Sequence, residues 1–307
     1  MLDLKRRFDW LGAKIYLIMR AHILNPLWWP RSRRHDRRSD TLARSLPWYF
    51  KRNYLRGLDS VPEGPVLRDD AADRIYTIWF QGEENAPALV KACFASIRRH
   101  CRQKLVVLDT AMLKEMLDIP QLIWKKYEEG KIGRANFSDV CRIDLLYKFG
   151  GYWFDSTCFV TEAIPGWVEK EDFFLFMTEK LYGSPYSFIQ SCFIRARKGD
   201  YLLAAWRKIV FDYWERQNHH MDYFHVHLMF KALVENDERA REHFSRMPKV
   251  GQDATHILGC AYGIDQPYDE LQFRKDTAGA FFQKLTYRGA DTAPEGSIID
   301  YIKGTAD

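Results

Sequence analysis

Short apolar runs alternate along the chain with longer segments in which hydrophobic side chains recur at helical spacing. The runs Ile75–Phe80, Leu105–Leu108 and Tyr152–Phe154 are β-branched, aliphatic or aromatic, which is typical of buried strands. Pro87–His100 has the spacing of an amphipathic helix, and Arg134–Phe149 predicts a longer helix that stops at two glycines. This order of strands and helices predicts an α/β fold, with a mostly parallel sheet flanked by helices.

Further elements follow from the same pattern. Two short helices are expected at 111–117 and 121–129, before the third strand. Beyond residue 170 the pattern is weaker and predicts strands at 173–177 and 187–194, then helices at 201–217 and 224–236. Because ligands bind beyond the carboxyl ends of parallel strands, we expect Gln81, Asp109 and Asp155 near one edge of the sheet.

The composition is that of a folded protein rather than of a disordered or membrane-spanning one. Of 307 residues, 47% are hydrophobic and 15% aromatic, which is enough for a sizeable core. No uncharged apolar run approaches the ~18 residues that span a bilayer, and the best candidate, Leu11–Trp29, contains Lys14 and Arg20. Six cysteines without a CxxC pair indicate reduced thiols, so the sequence predicts a soluble, cytoplasmic protein.

Positive charge is concentrated at the start of the chain. Residues 1–56 hold 14 lysines and arginines against 4 aspartates, whereas the remainder carries a net charge of −5. We interpret residues 1–57 as a basic, amphipathic, helical N-terminal arm and residues 58–307 as the main domain. Three roles are open for the arm: a helix packed on the domain, a segment on an anionic membrane surface, and a nucleic-acid contact. Trp28 and Trp29 beside several arginines favour lipid, because tryptophan rings prefer the headgroup region.

The segment Ala135–Thr157 holds the residues best suited to chemistry. Asp139 and Arg142 lie three positions apart on a predicted helix and therefore share one face. Asp155 follows the third strand, at the ligand edge of the sheet. Arginine can hold a diphosphate through two parallel hydrogen bonds, and carboxylates accept hydrogen bonds from sugar hydroxyls. Spacing alone leaves a second interpretation open, in which Asp139 and Arg142 form an ordinary surface ion pair and Asp155 is a turn residue.

This segment resembles the signature A-x-x-S-D-x-x-R-x-x-x-L-x-x-x-G-G-x-x-x-D-x-[DT] of sugar-transferring enzymes. Those enzymes have the GT-A fold and include glycosyltransferase family 32 and the large glucosylating bacterial toxins. The matching residues are Ala135, Ser138, Asp139, Arg142, Leu146, Gly150, Gly151, Asp155 and Thr157. Two further segments, Thr77–His100 and Lys284–Arg288, resemble the capsular polysaccharide synthesis protein family. The resemblance covers about residues 70–290 and implies a GT-A-like, Rossmann-like domain.

The resemblance also implies roles for individual residues. Asp139, Arg142 and Asp155 are the implied catalytic residues, because the first two match the pair that contacts the donor sugar and its phosphate. Trp79 matches the aromatic residue on which the nucleotide base stacks. The implied donor-binding residues are Trp79, Gln81, Asp139, Arg142, Gly151, Asp155 and Thr157.

A divalent cation, Mn²⁺ or Mg²⁺, is a further implication of the resemblance. Asp155 matches the first acid of the D-x-D motif and is the expected metal ligand. Thr157 stands where the second acid usually lies, and a neutral hydroxyl is a weak ligand for a hard cation. The sequence therefore leaves metal use open.

The histidines at 219, 220, 225 and 227 form no clear metal pattern. His225 and His227 are two residues apart, which places them on different faces of a helix. A structural role is favoured for them, and nothing in their spacing assigns a functional one.

Together with the resemblance, these residues predict a nucleotide-sugar-dependent glycosyltransferase of hexosyltransferase type. Its expected acceptor is a cell-surface polysaccharide or a lipid-linked glycan, and residues 1–56 are expected to hold it on the inner face of the membrane. The alternative is a non-catalytic subunit that binds a nucleotide sugar or a glycan and retains the fold. A nucleic-acid-binding protein is disfavoured because only the arm supports it.

Overall fold

A five-stranded sheet lies at the centre of the protein, of which the computed structural model describes residues 45–62, 73–179, 181, 187–263 and 265–306. The strands are β1 (Arg74–Ile78), β2 (Lys104–Leu108), β3 (Gly151–Phe154), β4 (Cys158–Val160), β5 (Phe173–Met177), β6 (Ile189–Ala196) and β7 (Phe282–Lys284). The central sheet has the order β2-β1-β3-β6-β5, and β4 and β7 form a separate two-stranded sheet.

The strand directions decide the fold class. β1 pairs in parallel with β2 on one side and with β3 on the other. β6 runs antiparallel between β3 and β5, so four of the five strands share one direction. The predicted α/β fold with a mostly parallel sheet flanked by helices is therefore confirmed.

Helices cover the sheet, and the two larger hydrophobic clusters lie among these elements. The helices are α1 (residues 45–54), α2 (Ala88–His100), α3 (Thr110–Met116), α4 (Gln121–Glu128), α5 (Arg134–Phe149), α6 (Gly166–Glu169), α7 (Tyr201–Arg216), α8 (His225–Asn236), α9 (Glu238–Arg246), α10 (Glu270–Thr277) and α11 (Ile298–Lys303). The larger cluster packs α5, α7 and α8 together with the sheet, and the smaller one joins α2 to β4 and α11. The helices expected before residue 237 agree with these bounds to within one residue.

The end of α5 positions the residues that matter most for function. Gly150 and Gly151 have φ values of 67° and 92°, which residues with a Cβ atom adopt only with strain. The chain therefore leaves the helix abruptly and enters β3 without an intervening loop. As a result, the helix face that carries Asp139 and Arg142 lies beside the strand that ends at Asp155.

The last part of the predicted arm that the structure describes is packed against the domain. Residues 45–54 are helical, and Leu46, Phe50 and Tyr54 of this helix are buried in the larger cluster. Residues 1–44, which include Trp28 and Trp29, lie outside the described residues. Within the described part of the chain, every helix is too short or too polar to cross a membrane.

Candidate functional site

An open cleft of about 580 Å³ lies where β1 and β3 end. Trp79 and Gln81 enter it directly after β1, Asp155 and Thr157 directly after β3, and α5 contributes its polar face. Six of the seven residues expected to bind the donor line this cleft together: Trp79, Gln81, Asp139, Arg142, Asp155 and Thr157.

Gly151 is the exception, since it is not among the residues that line the cleft. It is the first residue of β3, at the far end of that strand from Asp155, and its backbone pairs with Ala196 of β6. Its carbonyl oxygen accepts a hydrogen bond from Arg195 at 3.4 Å. The positive φ of this residue favours glycine, and its donor-binding role stays a prediction. The Asp109 carboxylate caps the N-terminus of α3, where it accepts a hydrogen bond from the Met112 amide at 2.8 Å.

Arg142 lies at the floor of the cleft and is held from three sides. Its Nη2 atom is 3.4 Å from Asp139 Oδ1 and 3.1 Å from Asp155 Oδ1. Its Nη1 atom donates to the carbonyl and hydroxyl oxygens of Ser191, at 2.7 and 2.6 Å. The guanidinium also lies over the ring of Trp153, with 4.9 Å between the guanidinium carbon and the ring centroid. The arginine is therefore fixed in one orientation, with its Nε atom buried and without a hydrogen-bond partner.

Asp155 connects this arginine to a second cation. Its Oδ1 atom accepts from Trp153 Nε1 at 2.9 Å, and its Oδ2 atom is 3.4 Å from Lys284 Nζ. The Lys284 ammonium also donates to the hydroxyl of Thr157. Two carboxylates and two cations thus meet in a cluster whose formal charges cancel.

The electrostatics of the cluster keep three of its four groups charged. Burial opposes ionisation of Asp155, but Arg142 and Lys284 outweigh it and hold the pKa of that carboxyl below its ordinary value. Burial also opposes the charges of the two cations, and the neighbouring carboxylates more than compensate, so the pKa of each lies above its ordinary value.

Asp139 is the titratable member of the cluster. Burial raises the pKa of its carboxyl to about 6, Arg142 lowers it in part, and the negative charge of Asp155 raises it again. The two carboxylates therefore have pKa values shifted in opposite directions, a pattern common in catalytic sites.

His227 joins the cleft from α8. Its Nε2 atom lies 2.8 Å from Ser191 Oγ, and burial together with Arg142 lowers its pKa to about 3, so the ring is neutral. His225 points to the other side of the same helix and packs against Tyr213 and Trp214. His225 and His227 therefore lie on different faces of the helix, as their spacing predicts.

The rim of the cleft carries aromatic and basic side chains. Trp79 and Tyr287 form an edge-to-face pair, with ring centroids 5.6 Å apart. Gln81, with its amide oxygen turned towards the rim, accepts from Arg134 Nη1 at 2.8 Å. Arg134 and Arg288 are exposed, so the rim offers flat apolar surface next to positive charge.

The donor set does not fit a tightly bound divalent cation. Both oxygens of Asp155 already face cations, and the Thr157 hydroxyl accepts from Lys284. In the part of the chain that the structure describes, no three His, Cys, Asp or Glu side chains are grouped closely enough to hold a metal. These side chains do not support the Mn²⁺ or Mg²⁺ ion expected at Asp155, and metal use stays a prediction.

Several cleft residues were not expected from the sequence. Lys284, Tyr287 and Arg288 come from β7 and the turn after it, and Ser191 comes from β6. The sequence signal for Lys284, Tyr287 and Arg288 is the segment Lys284–Arg288. This segment resembles the capsular polysaccharide synthesis protein family, but the resemblance implies no role for these residues. Ser191 carries no local signal, because its position depends on strand pairing with β3.

A second cavity, of about 440 Å³, lies at the opposite end of the sheet, near the start of β5. Two of its charged groups, Arg197 and Asp172, form an ion pair at 2.7 Å. In parallel sheets, ligands bind beyond the carboxyl ends of the strands, which favours the cleft at Asp155.

The sequence was compared with known proteins. The sequence model of a family described as "Capsular polysaccharide synthesis protein" matches residues 31–302. No curated protein sequence matches the chain. The fold is similar to a solved structure described as "PaToxG Glycosyltransferase", with 12% sequence identity, a TM-score of 0.40, and coverage of 88% of this chain and 98% of that one.

Proposed function

The chain belongs to the capsular polysaccharide synthesis protein family, as its sequence predicted, and from that premise we propose that it is a nucleotide-sugar-dependent glycosyltransferase. The proposed acceptor is a growing cell-surface polysaccharide or a lipid-linked glycan precursor. The observation that carries the proposal is the cleft at the ends of β1 and β3, in which Asp139, Arg142, Asp155 and Lys284 meet.

In the proposed binding mode, different parts of the cleft hold the base, the diphosphate and the sugar. A base can pack against Trp79 and Tyr287 at the rim, next to the exposed cations. The diphosphate then lies over Arg142 and Lys284, whose fixed positive charges need no rearrangement to stabilise the leaving group. Asp139 is placed to accept hydrogen bonds from the sugar hydroxyls, which orients the anomeric carbon.

The direct test is to incubate the purified protein with a panel of nucleotide sugars and to measure nucleoside diphosphate release, with and without a glycan acceptor. We expect turnover with at least one donor, and strongly reduced turnover in Arg142→Ala. Unchanged turnover in both Arg142→Ala and Asp155→Ala would remove the assigned site.

Replacing Trp79 with alanine is expected to weaken nucleoside diphosphate binding roughly 5- to 150-fold. The reason is the loss of base stacking, which contributes about 1–3 kcal/mol per base. Binding can be measured by isothermal titration calorimetry with uridine and guanosine diphosphates. The matched control is Trp167→Ala, because Trp167 also makes an edge-to-face aromatic contact but lies outside the cleft. Equal affinities in the two variants would contradict the assignment of the base site.

The catalytic efficiency of the wild-type protein is expected to rise with pH around a midpoint of about 6. Below that pH the Asp139 carboxyl is protonated and accepts hydrogen bonds poorly, and above it the carboxylate forms beside Arg142. His227 stays neutral through this range and does not contribute to the rise. In Asp139→Asn the rise should disappear from the pH profile of kcat/KM. A profile in that variant with the same midpoint would show that another group titrates.

We further propose that the acceptor is met at the cytoplasmic face of the membrane. The support is the basic and aromatic pattern of residues 1–56, since each nearby lysine or arginine adds roughly 1 kcal/mol of attraction to anionic lipid. Co-sedimentation of the full chain with anionic vesicles, and its absence with neutral ones, tests this placement.

A second candidate function is a non-catalytic subunit that binds the nucleotide sugar. The observation that favours it is Thr157, which stands where an acid would complete a metal site. Nucleoside diphosphate binding without turnover of any nucleotide sugar would support this second function against the first.

A further inference from the structure

The ammonium of Lys284 occupies the space between Asp155 and Thr157. Its Nζ atom is 3.4 Å from Asp155 Oδ2 and donates to Thr157 Oγ1. Asp155 and Thr157 are the two positions at which the D-x-D motif would present a pair of acids. A fixed monovalent cation therefore lies where two acids would otherwise hold a divalent one.

The backbone holds this lysine in place. β7 pairs antiparallel with β4, with Lys284 opposite Cys158, and the Leu285 amide donates to the Thr157 carbonyl at 2.8 Å. The lysine side chain is 24% exposed and lines the cleft. Its position is thus set by strand pairing rather than by a flexible loop.

The charges around the lysine disfavour an additional cation. Asp155 has Arg142 on one oxygen and Lys284 on the other, and Thr157 offers only a neutral hydroxyl. A divalent ion at Asp155 would lie beside the ammonium, with like charges a few ångströms apart in a partly buried site. Such an ion would have to displace the lysine to gain a carboxylate ligand.

We propose that the Lys284 ammonium replaces the divalent cation, so that the protein binds its donor and transfers the sugar without a metal. This inference rests on the proposed glycosyltransferase function and names a further residue of the same site. In the step itself, the bond between the sugar C1 and the terminal phosphate oxygen breaks, and both of its electrons go to that oxygen. A new bond forms between C1 and the acceptor oxygen, whose proton leaves with the diphosphate. Lys284 and Arg142 neutralise the charge that develops on the diphosphate.

The first test measures binding rather than activity. Uridine and guanosine diphosphates are titrated into the wild-type protein by calorimetry, in excess EDTA and again with Mn²⁺. We expect the same Kd within about twofold under both conditions, and a Kd at least tenfold higher in Lys284→Ala. Lys284→Arg should retain most of the affinity, because it keeps the positive charge.

The control variants separate loss of the cation from loss of structure. Lys208→Ala is matched to Lys284→Ala, because Lys208 also pairs with an aspartate, Asp212, at similar exposure but outside the cleft. It should bind the nucleotides as the wild type does. Lys284→Met removes the charge while keeping the apolar stem, so weak binding in this variant with an unchanged Tm identifies the ammonium as the binding group.

The second test restores the pair of acids at positions 155 and 157 and removes the lysine. The double variant Thr157→Asp, Lys284→Ala presents two acids without the lysine between them. We expect it to bind Mn²⁺, seen as loss of the free-ion signal in electron paramagnetic resonance, and to bind nucleoside diphosphate only when Mn²⁺ is present.

The outcomes distinguish this inference from the function on which it rests. If EDTA abolishes nucleotide binding to the wild type and Mn²⁺ restores it, while Lys284→Ala binds as well as the wild type, the lysine inference is wrong and the glycosyltransferase proposal stands. If the wild type binds neither nucleotide under either condition and turns over no nucleotide sugar, the proposed function itself is wrong.

Discussion

Replacing Asp155 with asparagine is expected to reduce sugar transfer by about a thousandfold, the upper range for loss of one preorganised electrostatic contact. The carboxylate holds Arg142 with one oxygen and Lys284 with the other. A neutral amide cannot balance both cations, so they would repel each other and lose their shared orientation. Because the ion pair between Asp155 and Arg142 is largely buried, we also expect the free energy of unfolding to fall by about 3–5 kcal/mol.

A second aspartate provides the control that separates activity from stability. Asp144 lies on α5 together with Arg142, is 1% exposed, and pairs with Arg207 on the side away from the cleft. It also accepts from the Asp118 amide at 2.9 Å. Asp144→Asn should therefore lose comparable stability in urea unfolding while transfer per folded molecule stays within a few fold of wild type. Equal loss of transfer in both variants would mean that Asp155 acts only through stability.

The protein is expected to lose stability steeply as the pH falls from about 6 to about 4. Burial lowers the pKa of both His225 and His227 to about 3, whereas an unfolded histidine titrates near its ordinary value of 6.5. Below pH 6.5 these two histidines therefore bind protons in the unfolded chain but not in the folded one. The free energy of unfolding falls as a result. Each histidine contributes up to about 1.4 kcal/mol per pH unit, so the two together give roughly 2.7 kcal/mol per unit.

The measurement is a series of urea unfolding curves across this pH range. His225→Phe should lower the slope by about 1.4 kcal/mol per pH unit, because phenylalanine fits among Tyr213 and Trp214 and does not titrate. An unchanged slope in His225→Phe would show that the burial of this histidine does not cause the acid unfolding.

Much of the fold follows from local pattern. The bounds predicted for α5 match the structure because apolar spacing defines the helix and two glycines with positive φ end it. The three parallel strands were also expected, since each is a short apolar run followed by polar residues. The reversed direction of β6 was not, because a strand has the same periodicity in either direction. The strands β4 and β7 are three residues long, too short for a periodic signal.

The same distinction applies to the cleft. Asp139, Arg142 and Asp155 lie within one short segment, so their spacing and resemblance identified them together. Lys284 and Ser191 could not be placed from the sequence, because each reaches the site through long-range strand pairing. The sequence raised the question of the missing second acid at Thr157, and the lysine that bonds to it became visible only in three dimensions.

The late position of Lys284 in the sequence decides when the charged cluster can be completed during synthesis. Lysine and threonine meet across 127 residues of chain, and β7 is the last strand to be synthesised among the described residues. The central sheet is complete at Ala196, so a nascent chain can build it while the later segment is still inside the ribosome. Until residue 284 emerges, such a chain has Arg142 but not the second cation of the cluster.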